Sequence, residues 1–317
     1  MQFGTLDDVR YGAVEEVAPG IRRVIAENPS RFTYRGTGTY LVGRGDVAVI
    51  DPGPRLDSHR DSLAAALAGE RVVAICVTHC HSDHSPLAAW LREETGAPTF
   101  AFGPHAAVAG GEELAEAGED LADGLKVEES IDTAFDPDER VADGEVAVSA
   151  GAGQERWLLR AVHTPGHTSN HHCYALERPG EPSMLFSGDH VMGWSTTVVS
   201  PPDGDMAAYL ESLRKVAGRG DGVLWPTHGP PIERPADYVA ELIGHRLARE
   251  RQIVAAVRSG IGEIPAIVAS LYADVDERLH KAAARSVLAH LRKLVADGAV
   301  VTADDLPPRA ASRYAGV

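Results

Sequence analysis

The chain has 317 residues, 44% of them hydrophobic, so it can bury a sizeable core and is long for a single domain. Its formal net charge of -16 at pH 7 excludes a general affinity for nucleic acid or anionic membranes. The charge is uneven, because residues 241–317 contain 11 Lys and Arg against 9 Asp and Glu, which leaves 19 against 37 in residues 1–240. Contact with a polyanion therefore has to use the C-terminal part or a bound cation.

The three cysteines indicate a reducing compartment. Cys76, Cys80 and Cys173 form no CxxC pair and no disulfide framework, which suits free thiols. The N-terminal segment has no basic region followed by an apolar one, and no apolar run is long enough to span a membrane. We therefore expect a cytoplasmic protein that makes no membrane contact.

Short strands and helices alternate along the first part of the chain. Six segments rich in β-branched or alternating apolar residues are predicted strands: residues 21–25, 39–42, 47–50, 72–77, 145–149 and 157–162. Two helices are predicted, over residues 58–67 and 86–95. Residues 103–130 are rich in Ala, Gly and Glu, which favours a solvated helix and loop, with a mobile flap as the alternative. The alternation predicts an α/β fold.

Four metal-binding side chains follow the apolar run at residues 72–77. They are His79, His81, Asp83 and His84, and imidazole and carboxylate groups suit zinc or iron. Two residues apart in extended backbone, His79 and His81 point the same way and can hold one ion. Asp83 and His84 lie where the chain turns toward the next helix, so they can face a second ion. This spacing predicts a metal site.

Further metal-capable residues follow later apolar segments. His163 and His167 lie in the turn His-Thr-Pro-Gly-His-Thr, Asp189 follows Ser-Gly, and His228 follows Pro-Thr. Each of these positions is predicted to be a loop at the end of a strand. Asp51 occupies a similar place in an Asp-Pro-Gly turn.

In this order, the motifs resemble those of the metallo-β-lactamase superfamily of hydrolases over about residues 15–235. The resemblance implies an αβ/βα four-layer sandwich. It also implies seven ligands: His79, His81 and His167 for the first metal, Asp83, His84 and His228 for the second, and Asp189 as the bridge between them. Asp51 and His163 match positions that support the ligands without binding metal. Cys80 matches the variable position of the motif, and we expect it only to pack.

The C-terminal part is predicted to be mainly helical. Helices are expected over residues 238–259, from residue 265, and over 277–296, followed by a short strand at 299–301. Three helices and a strand resemble a winged-helix module, which divides the chain into a catalytic domain, 1–237, and a C-terminal domain, 238–317. The whole then resembles the lactamase-β-like subgroup of endoribonuclease and thioesterase type. The near-neutral charge of the C-terminal domain favours packing or dimerisation over recognition of DNA.

The resemblance implies a metal-dependent hydrolase. Two divalent ions would supply a bridging hydroxide at neutral pH. Zinc is the predicted metal, and iron or manganese would use the same types of ligand. Asp83 and Asp189 would act in catalysis by orienting it. No GxSxG motif offers a serine nucleophile, and His171 and His190 are candidates to protonate the leaving group, although a supporting role is favoured for each.

Three functions stay open at this point. A small ester, thioester or lactam-like substrate suits the acidic catalytic domain. RNA cleavage by an endoribonuclease or phosphodiesterase is the alternative that the winged helix favours and the charge disfavours. A non-catalytic scaffold is a third, which the complete ligand set disfavours. The expected partner is a small molecule, with RNA as the alternative, and the oligomeric state is open, a homodimer included.

Overall fold

Two β-sheets packed face to face build the first part of the protein. The computed structural model describes residues 3–105, 130–273, 279–304 and 306–317. Most of the segment for which a solvated helix or a flap was predicted, residues 103–130, lies outside these described residues. The strands and helices given below lie before and after this segment.

The first sheet has seven strands in sequence order. The strands are β1 (Val14–Ala18), β2 (Ile21–Ile25), β3 (Gly38–Val42), β4 (Asp46–Ile50), β5 (Arg71–Cys76), β6 (Thr99–Ala101) and β7 (Glu139–Arg140). The first four pair antiparallel, whereas β4 to β7 pair in parallel. Strands β4 and β5 therefore end at the same edge, which is the edge where Asp51 and the first metal motif follow.

The second sheet has five strands in the order β12-β11-β10-β9-β8. The strands are β8 (Val146–Ala150), β9 (Trp157–His163), β10 (His172–Glu177), β11 (Met184–Gly188) and β12 (Val223–Pro226). The neighbours β11 and β12 run parallel, and the other pairs are antiparallel. The parallel pair brings the ends of β11 and β12 together, directly before Asp189 and His228.

Apolar side chains fill the space between the sheets and cover their outer faces. Tyr40, Ile50, Leu159, Phe186 and Trp225 belong to the core between the two sheets. Helices α1 (Asp57–Ala66) and α2 (Ala88–Thr95) cover the first sheet. Helices α3 (Met206–Ala217) and α4 (Pro235–Arg258) cover the second. The order of layers is helix, sheet, sheet, helix, as in the predicted four-layer sandwich.

A smaller core lies in the C-terminal part. Helices α5 (Ile264–Leu271) and α6 (His280–Ala296) and the hairpin of β13 (Val300–Thr302) and β14 (Tyr314–Gly316) pack against the end of α4. Helix α4 spans the predicted domain boundary. Its first half contributes Val239 and Leu242 to the core under the second sheet, and its second half contributes Ile253 and Val257 to the C-terminal core. The division at residue 237 stays a prediction.

The predicted elements correspond to observed ones, and some observed elements were not predicted. Helix α3 is one of these, although Asp205 caps it through a hydrogen bond to the amide of Ala208. The helix follows a Pro- and Gly-rich segment, but its buried residues Met206, Tyr209, Leu210, Leu213 and Val216 repeat at helical spacing, so the sequence did contain a signal for it. The short strands β6 and β7 were also missed, because two or three residues carry too little alternation to identify a strand.

The hydroxyl of Tyr40 tests how the two sheets are joined. Tyr40 is 1% exposed, and its hydroxyl donates a hydrogen bond to the carbonyl oxygen of Pro226 at 2.7 Å, across the core. Tyr40→Phe should lower the free energy of unfolding by about 1–3 kcal/mol, because the buried carbonyl loses its donor. Denaturant unfolding measures this. Tyr11→Phe, at a position that is 37% exposed, should change it by less than about 0.5 kcal/mol. Equal changes in the two variants would contradict a stabilising role of the hydrogen bond from Tyr40 to Pro226.

Candidate metal centre

Loops at the ends of four strands meet at one edge of the two sheets. The loop after β5 contributes His79, His81, Asp83 and His84, and the ends of β9, β11 and β12 lead to His167, Asp189 and His228. All seven side chains are buried, although they are polar or charged. Buried groups of this kind need partners of opposite charge or a bound ion. The structure therefore brings together the seven residues that were predicted as ligands.

Three imidazoles form one group. The Nε2 atom of His79 lies 2.9 Å from Nδ1 of His81, and Nε2 of His167 lies 3.2 Å from the same Nδ1. The ligand atoms of these residues all lie within 4.8 Å of one another, which is close enough to hold one metal ion. Burial and the neighbouring imidazoles hold the pKa of His79 well below its usual value, and burial lowers that of His81 to about 3. Neutral imidazole is the form that binds metal.

Asp83, His84 and His228 form the second group. Oδ2 of Asp83 lies 3.4 Å from Nε2 of His84 and 3.2 Å from Nε2 of His228. Burial works against ionisation of Asp83, but the two histidines hold its pKa well below the usual value. Burial also disfavours a charged His228, yet Asp189 and Asp83 raise its pKa to about 10. These carboxylates therefore require positive charge beside them, from protons or from a metal.

The carboxylate of Asp189 lies between the two groups. Its Oδ1 atom is 3.4 Å from Nε2 of His228 and 3.7 Å from Nε2 of His84, whereas its Oδ2 atom is 3.9 Å from Nε2 of His167. One oxygen therefore faces each group. Neither Oδ1 of Asp189 nor Nε2 of His84 has a hydrogen-bond partner among the described residues. Because buried polar atoms are rarely left unsatisfied, the two atoms fit ligands of a cation between them.

Asp51 supports the ligands from behind. Its Oδ1 atom accepts a hydrogen bond from the amide of Thr78 at 2.8 Å, and Oδ2 accepts from the hydroxyls of Thr78 at 2.8 Å and Thr227 at 3.2 Å. Nδ1 of His84 lies 2.9 Å from the same Oδ2. Asp51 has a φ of +49°, a conformation that Asp and Asn tolerate better than most residues. It fixes the orientation of His84 with Nε2 toward the other ligands.

Backbone oxygens orient two of the other imidazoles. Nδ1 of His167 lies 2.7 Å from the carbonyl oxygen of Val198, and Nδ1 of His228 lies 3.2 Å from that of Gly36. The hydroxyl of Thr37 donates to Oδ2 of Asp83 at 2.8 Å. The segment containing Gly36 and Thr37 was missed in the sequence, because its only signal is a Gly-Thr-Gly-Thr run with no metal-binding side chain.

His163 lies apart from the ligands, unlike His171. The ring of His163 is stacked on Phe102 at 4.1 Å, and its Nε2 faces the carbonyl oxygen of Ser169. In contrast, Nε2 of His171 accepts a hydrogen bond from the amide of Asp189 at 3.2 Å. Of the two, His171 therefore supports a ligand directly. His190 is buried with its ring 5.1 Å from that of Tyr209.

Comparison with known families agrees with this geometry. A model of the metallo-beta-lactamase superfamily matches residues 34–228, which is more than half of the chain. The chain belongs to the metallo-beta-lactamase superfamily. A model of the beta-lactamase associated winged helix domain matches residues 264–310, so the C-terminal part is a winged-helix domain as predicted. The superfamily is one of metal-dependent hydrolases, and the histidine and aspartate groups of this chain fit divalent metal ions.

Relatives in the superfamily resemble the chain over nearly its whole length. An atrochrysone carboxyl ACP thioesterase from Paecilomyces divaricatus is 31% identical over 300 residues, covering 90% of this chain and 83% of the relative. One from Aspergillus chevalieri is 32% identical, covering 85% and 79%. The crystal structure of a beta-lactamase domain protein from Burkholderia ambifaria aligns with a TM-score of 0.74 and 26% identity, covering 98% of this chain and 96% of that one.

A cleft opens onto the ligands of this superfamily member. It is partly open to solvent, and four of the predicted ligands line it, namely His81, His167, Asp189 and His228. The rest of its lining comes from two segments, which contribute Arg31 and Phe32, and Met192, Trp194, Ser195, Thr196 and Val198. The Trp194 ring is stacked on Tyr34 at 4.8 Å.

Among the described helices, none is long and apolar enough to cross a membrane.

The carboxylate of Asp51 allows a test of how the ligands are held. Asp51→Asn should lower the affinity for divalent metal by about 10- to 100-fold, because the amide cannot accept all four of the hydrogen bonds that Asp51 accepts. Asn also tolerates the positive φ, so the change isolates the carboxylate. Competition with a chromophoric chelator measures the affinity.

Asp46→Asn is the matched control for this test. Asp46 begins the same strand β4 at its far end, where its carboxylate pairs with the exposed Arg71. This variant should leave the metal affinity within about twofold of the unchanged protein. An Asp51→Asn variant that binds metal as tightly as the control would contradict the supporting role of Asp51.

Proposed function

We propose that the protein hydrolyses an acyl thioester of small-molecule size. The observation that carries the proposal is the position of Asp189, whose two oxygens face separate ligand groups in a cleft lined partly by aromatic side chains. Two relatives that are 31% and 32% identical are named as carboxyl ACP thioesterases, and each alignment covers at least 85% of this chain. Their names favour a thioester among the ester, thioester and lactam-like substrates.

Seven residues are proposed to hold two divalent ions. His79, His81 and His167 would hold one, Asp83, His84 and His228 the other, and Asp189 would bridge them. Zinc is the proposed metal, since catalytic zinc takes histidine and carboxylate ligands and keeps a position open for water, and iron or manganese would use the same donors. Bound ions would lower the pKa of a water toward neutrality and polarise the acyl carbonyl.

The residues of the chain orient the reactants rather than attack them. Asp83 and Asp189 are proposed to accept hydrogen bonds from the attacking water and so to fix its direction. Cys80 lies within the metal motif, but burial raises the pKa of its thiol to about 11, and its Sγ accepts a hydrogen bond from Asn170 at 3.0 Å. It therefore stays protonated and packs among the apolar residues under the first sheet. A covalent acyl-cysteine is not part of the proposal.

The walls of the cleft indicate the kind of acyl group. Phe32, Met192 and Trp194 line the cleft together with ligand residues, so part of its surface is apolar and aromatic. Such side chains favour an apolar or aromatic acyl chain, through burial of apolar surface and ring contacts. The proposed substrate is therefore an apolar or aromatic acyl thioester, and its partner in the cell a small molecule.

RNA is the weaker candidate. The first 240 residues carry 37 acidic against 19 basic residues, and this excess of negative charge disfavours binding of a polyphosphate. The C-terminal domain is near neutral, so it does not compensate. A role as an inert scaffold is weaker still, because all seven proposed ligands are present and buried together. The cytoplasmic location and the oligomeric state stay predictions.

A substrate panel tests the proposal. The metal-loaded protein is assayed against an aryl thioester, an alkyl thioester, the matching oxygen ester, a lactone, a β-lactam and a short RNA. We expect the aryl thioester to give the highest kcat/KM, with activity lost on chelation and restored by zinc. A higher kcat/KM for RNA or for the β-lactam would contradict the thioester proposal. Activity that resists chelation would contradict the metal centre as its source.

Three alanine variants test the division of roles. Asp189→Ala should abolish binding of the second ion and reduce turnover together, because the shared carboxylate is lost between two cations. His167→Ala should also lower metal content and turnover, because it removes a proposed ligand of the first ion. His163→Ala should lose much less of either quantity, since the His163 ring stacks on Phe102 and its Nε2 faces the carbonyl oxygen of Ser169. Metal content and kcat are measured for each. A larger loss in His163→Ala than in His167→Ala would reverse the assignment within this turn.

A further inference from the structure

Residues 197–198 connect two of the proposed ligands. The hydroxyl of Thr197 donates to the carbonyl oxygen of Asp189 at 2.8 Å. The carbonyl oxygen of the next residue, Val198, lies 2.7 Å from Nδ1 of His167. We call residues 197–198 the strap. Its position therefore fixes the backbone of one ligand and the ring of another.

Arg246 contacts the strap from the long helix α4. Its Nη2 atom donates a short hydrogen bond to the carbonyl oxygen of Thr197. Its guanidinium carbon lies 5.4 Å from the ring centroid of Tyr209, whose hydroxyl donates to the carbonyl oxygen of His190 at 3.0 Å. Arg246 is only 4% exposed. Burying a guanidinium is costly unless hydrogen-bond acceptors satisfy it, and one of its acceptors here is the carbonyl oxygen of the strap.

Helix α4 belongs to both parts of the protein. Arg246 lies near its middle, between Leu242, which packs under the second sheet, and Ile253, which packs in the C-terminal core. Tyr238, at the start of the same helix, donates from its hydroxyl to the carbonyl oxygen of Met192 at 2.7 Å. Two side chains of α4 therefore hold the loop that follows Asp189 and forms one wall of the cleft.

We propose that Arg246 is a positioning residue that holds the strap, and through it Asp189 and His167, in the geometry that metal binding and hydrolysis need. The proposal rests on the proposed function for its catalytic consequence but not for its effect on metal binding. It gives the C-terminal domain a role in the reaction, because that domain anchors the helix that carries Arg246.

Arg249 provides a matched comparison. It lies one helical turn further along α4 and makes the same two kinds of contact, since Nη1 donates to the carbonyl oxygen of Leu271 at 3.1 Å and its guanidinium carbon lies 4.1 Å from the ring centroid of Tyr272. These contacts stay within the C-terminal domain. Arg249→Met therefore removes an arginine of the same chemistry from the same helix without affecting the strap.

The experiment compares Arg246→Met, Arg246→Lys and Arg249→Met as full-length proteins. Zinc affinity is measured by competition with a chromophoric chelator, and the visible spectrum of the cobalt-substituted protein reports ligand geometry. Arg246→Met should lower the zinc affinity by about 10- to 100-fold and change the cobalt spectrum, because losses of groups that orient ligands have this size. Arg246→Lys should recover most of both, since an ammonium can reach the same carbonyl.

The control decides between positioning and general stability. Arg249→Met should lower the melting temperature to a similar degree while leaving zinc affinity within about twofold and the cobalt spectrum unchanged. If Arg246→Met does not fold, Thr197→Val replaces it. This variant removes the strap hydroxyl at almost constant volume and should weaken zinc binding in the same range.

Two results would overturn the proposal. One is a folded Arg246→Met, or Thr197→Val in its place, with the zinc affinity and cobalt spectrum of the unchanged protein. The other is an Arg249→Met that loses as much zinc affinity as Arg246→Met. Measurements of kcat and KM on the best substrate add the catalytic consequence, which we expect mainly in kcat. If the unchanged protein hydrolyses none of the panel, the proposed function fails, while the zinc and cobalt results still decide the role of Arg246.

Discussion

The carboxylate of Asp51 is the constraint on which the rest of the site depends. It is 1% exposed, and it joins the end of β4 to the loops after β5 and β12 through Thr78, His84 and Thr227. Burying a carboxylate is unfavourable unless several donors satisfy it. The backbone of Asp51, with its positive φ, therefore has to place the carboxylate where these donors can reach it. Three loops from two sheets therefore have one relative position, and His84 has one orientation.

Charge balance then explains why this edge of the sheets suits a cation. Asp83 and Asp189 are buried at distances of 3.2 to 3.9 Å from the ring nitrogens of His84, His167 and His228. Two buried carboxylates require compensating positive charge close to them. The first group of three neutral imidazoles supplies lone pairs without charge. One group therefore contributes donors and the other contributes both donors and charge, so the two proposed ions would have different surroundings.

Local sequence predicts the parts of the site that lie on one short segment. His79, His81, Asp83 and His84 follow a recognisable strand, and Asp51 follows another, so their places could be predicted. Thr37 and Gly36 reach the ligands only through tertiary packing, which spacing along the chain does not contain. His163 was predicted to support the ligands, and its ring stacks on Phe102, whereas His171 accepts a hydrogen bond from the amide of Asp189. In the pairing of β9 with β10, His163 lies opposite His172, and paired residues share one face, so the preceding His171 points to the other. That register could not be read from the turn alone.

Metal content per chain tests the central claim most directly. The protein is purified without chelators and without added metal, and its divalent ions are counted by elemental analysis against protein concentration. The account predicts two ions per chain, and one ion or none in Asp189→Ala. A protein that binds no divalent ion, even after incubation with zinc at neutral pH, would contradict the assignment of the buried histidines and aspartates as ligands. A ratio that stays at one would contradict the bridging role of Asp189.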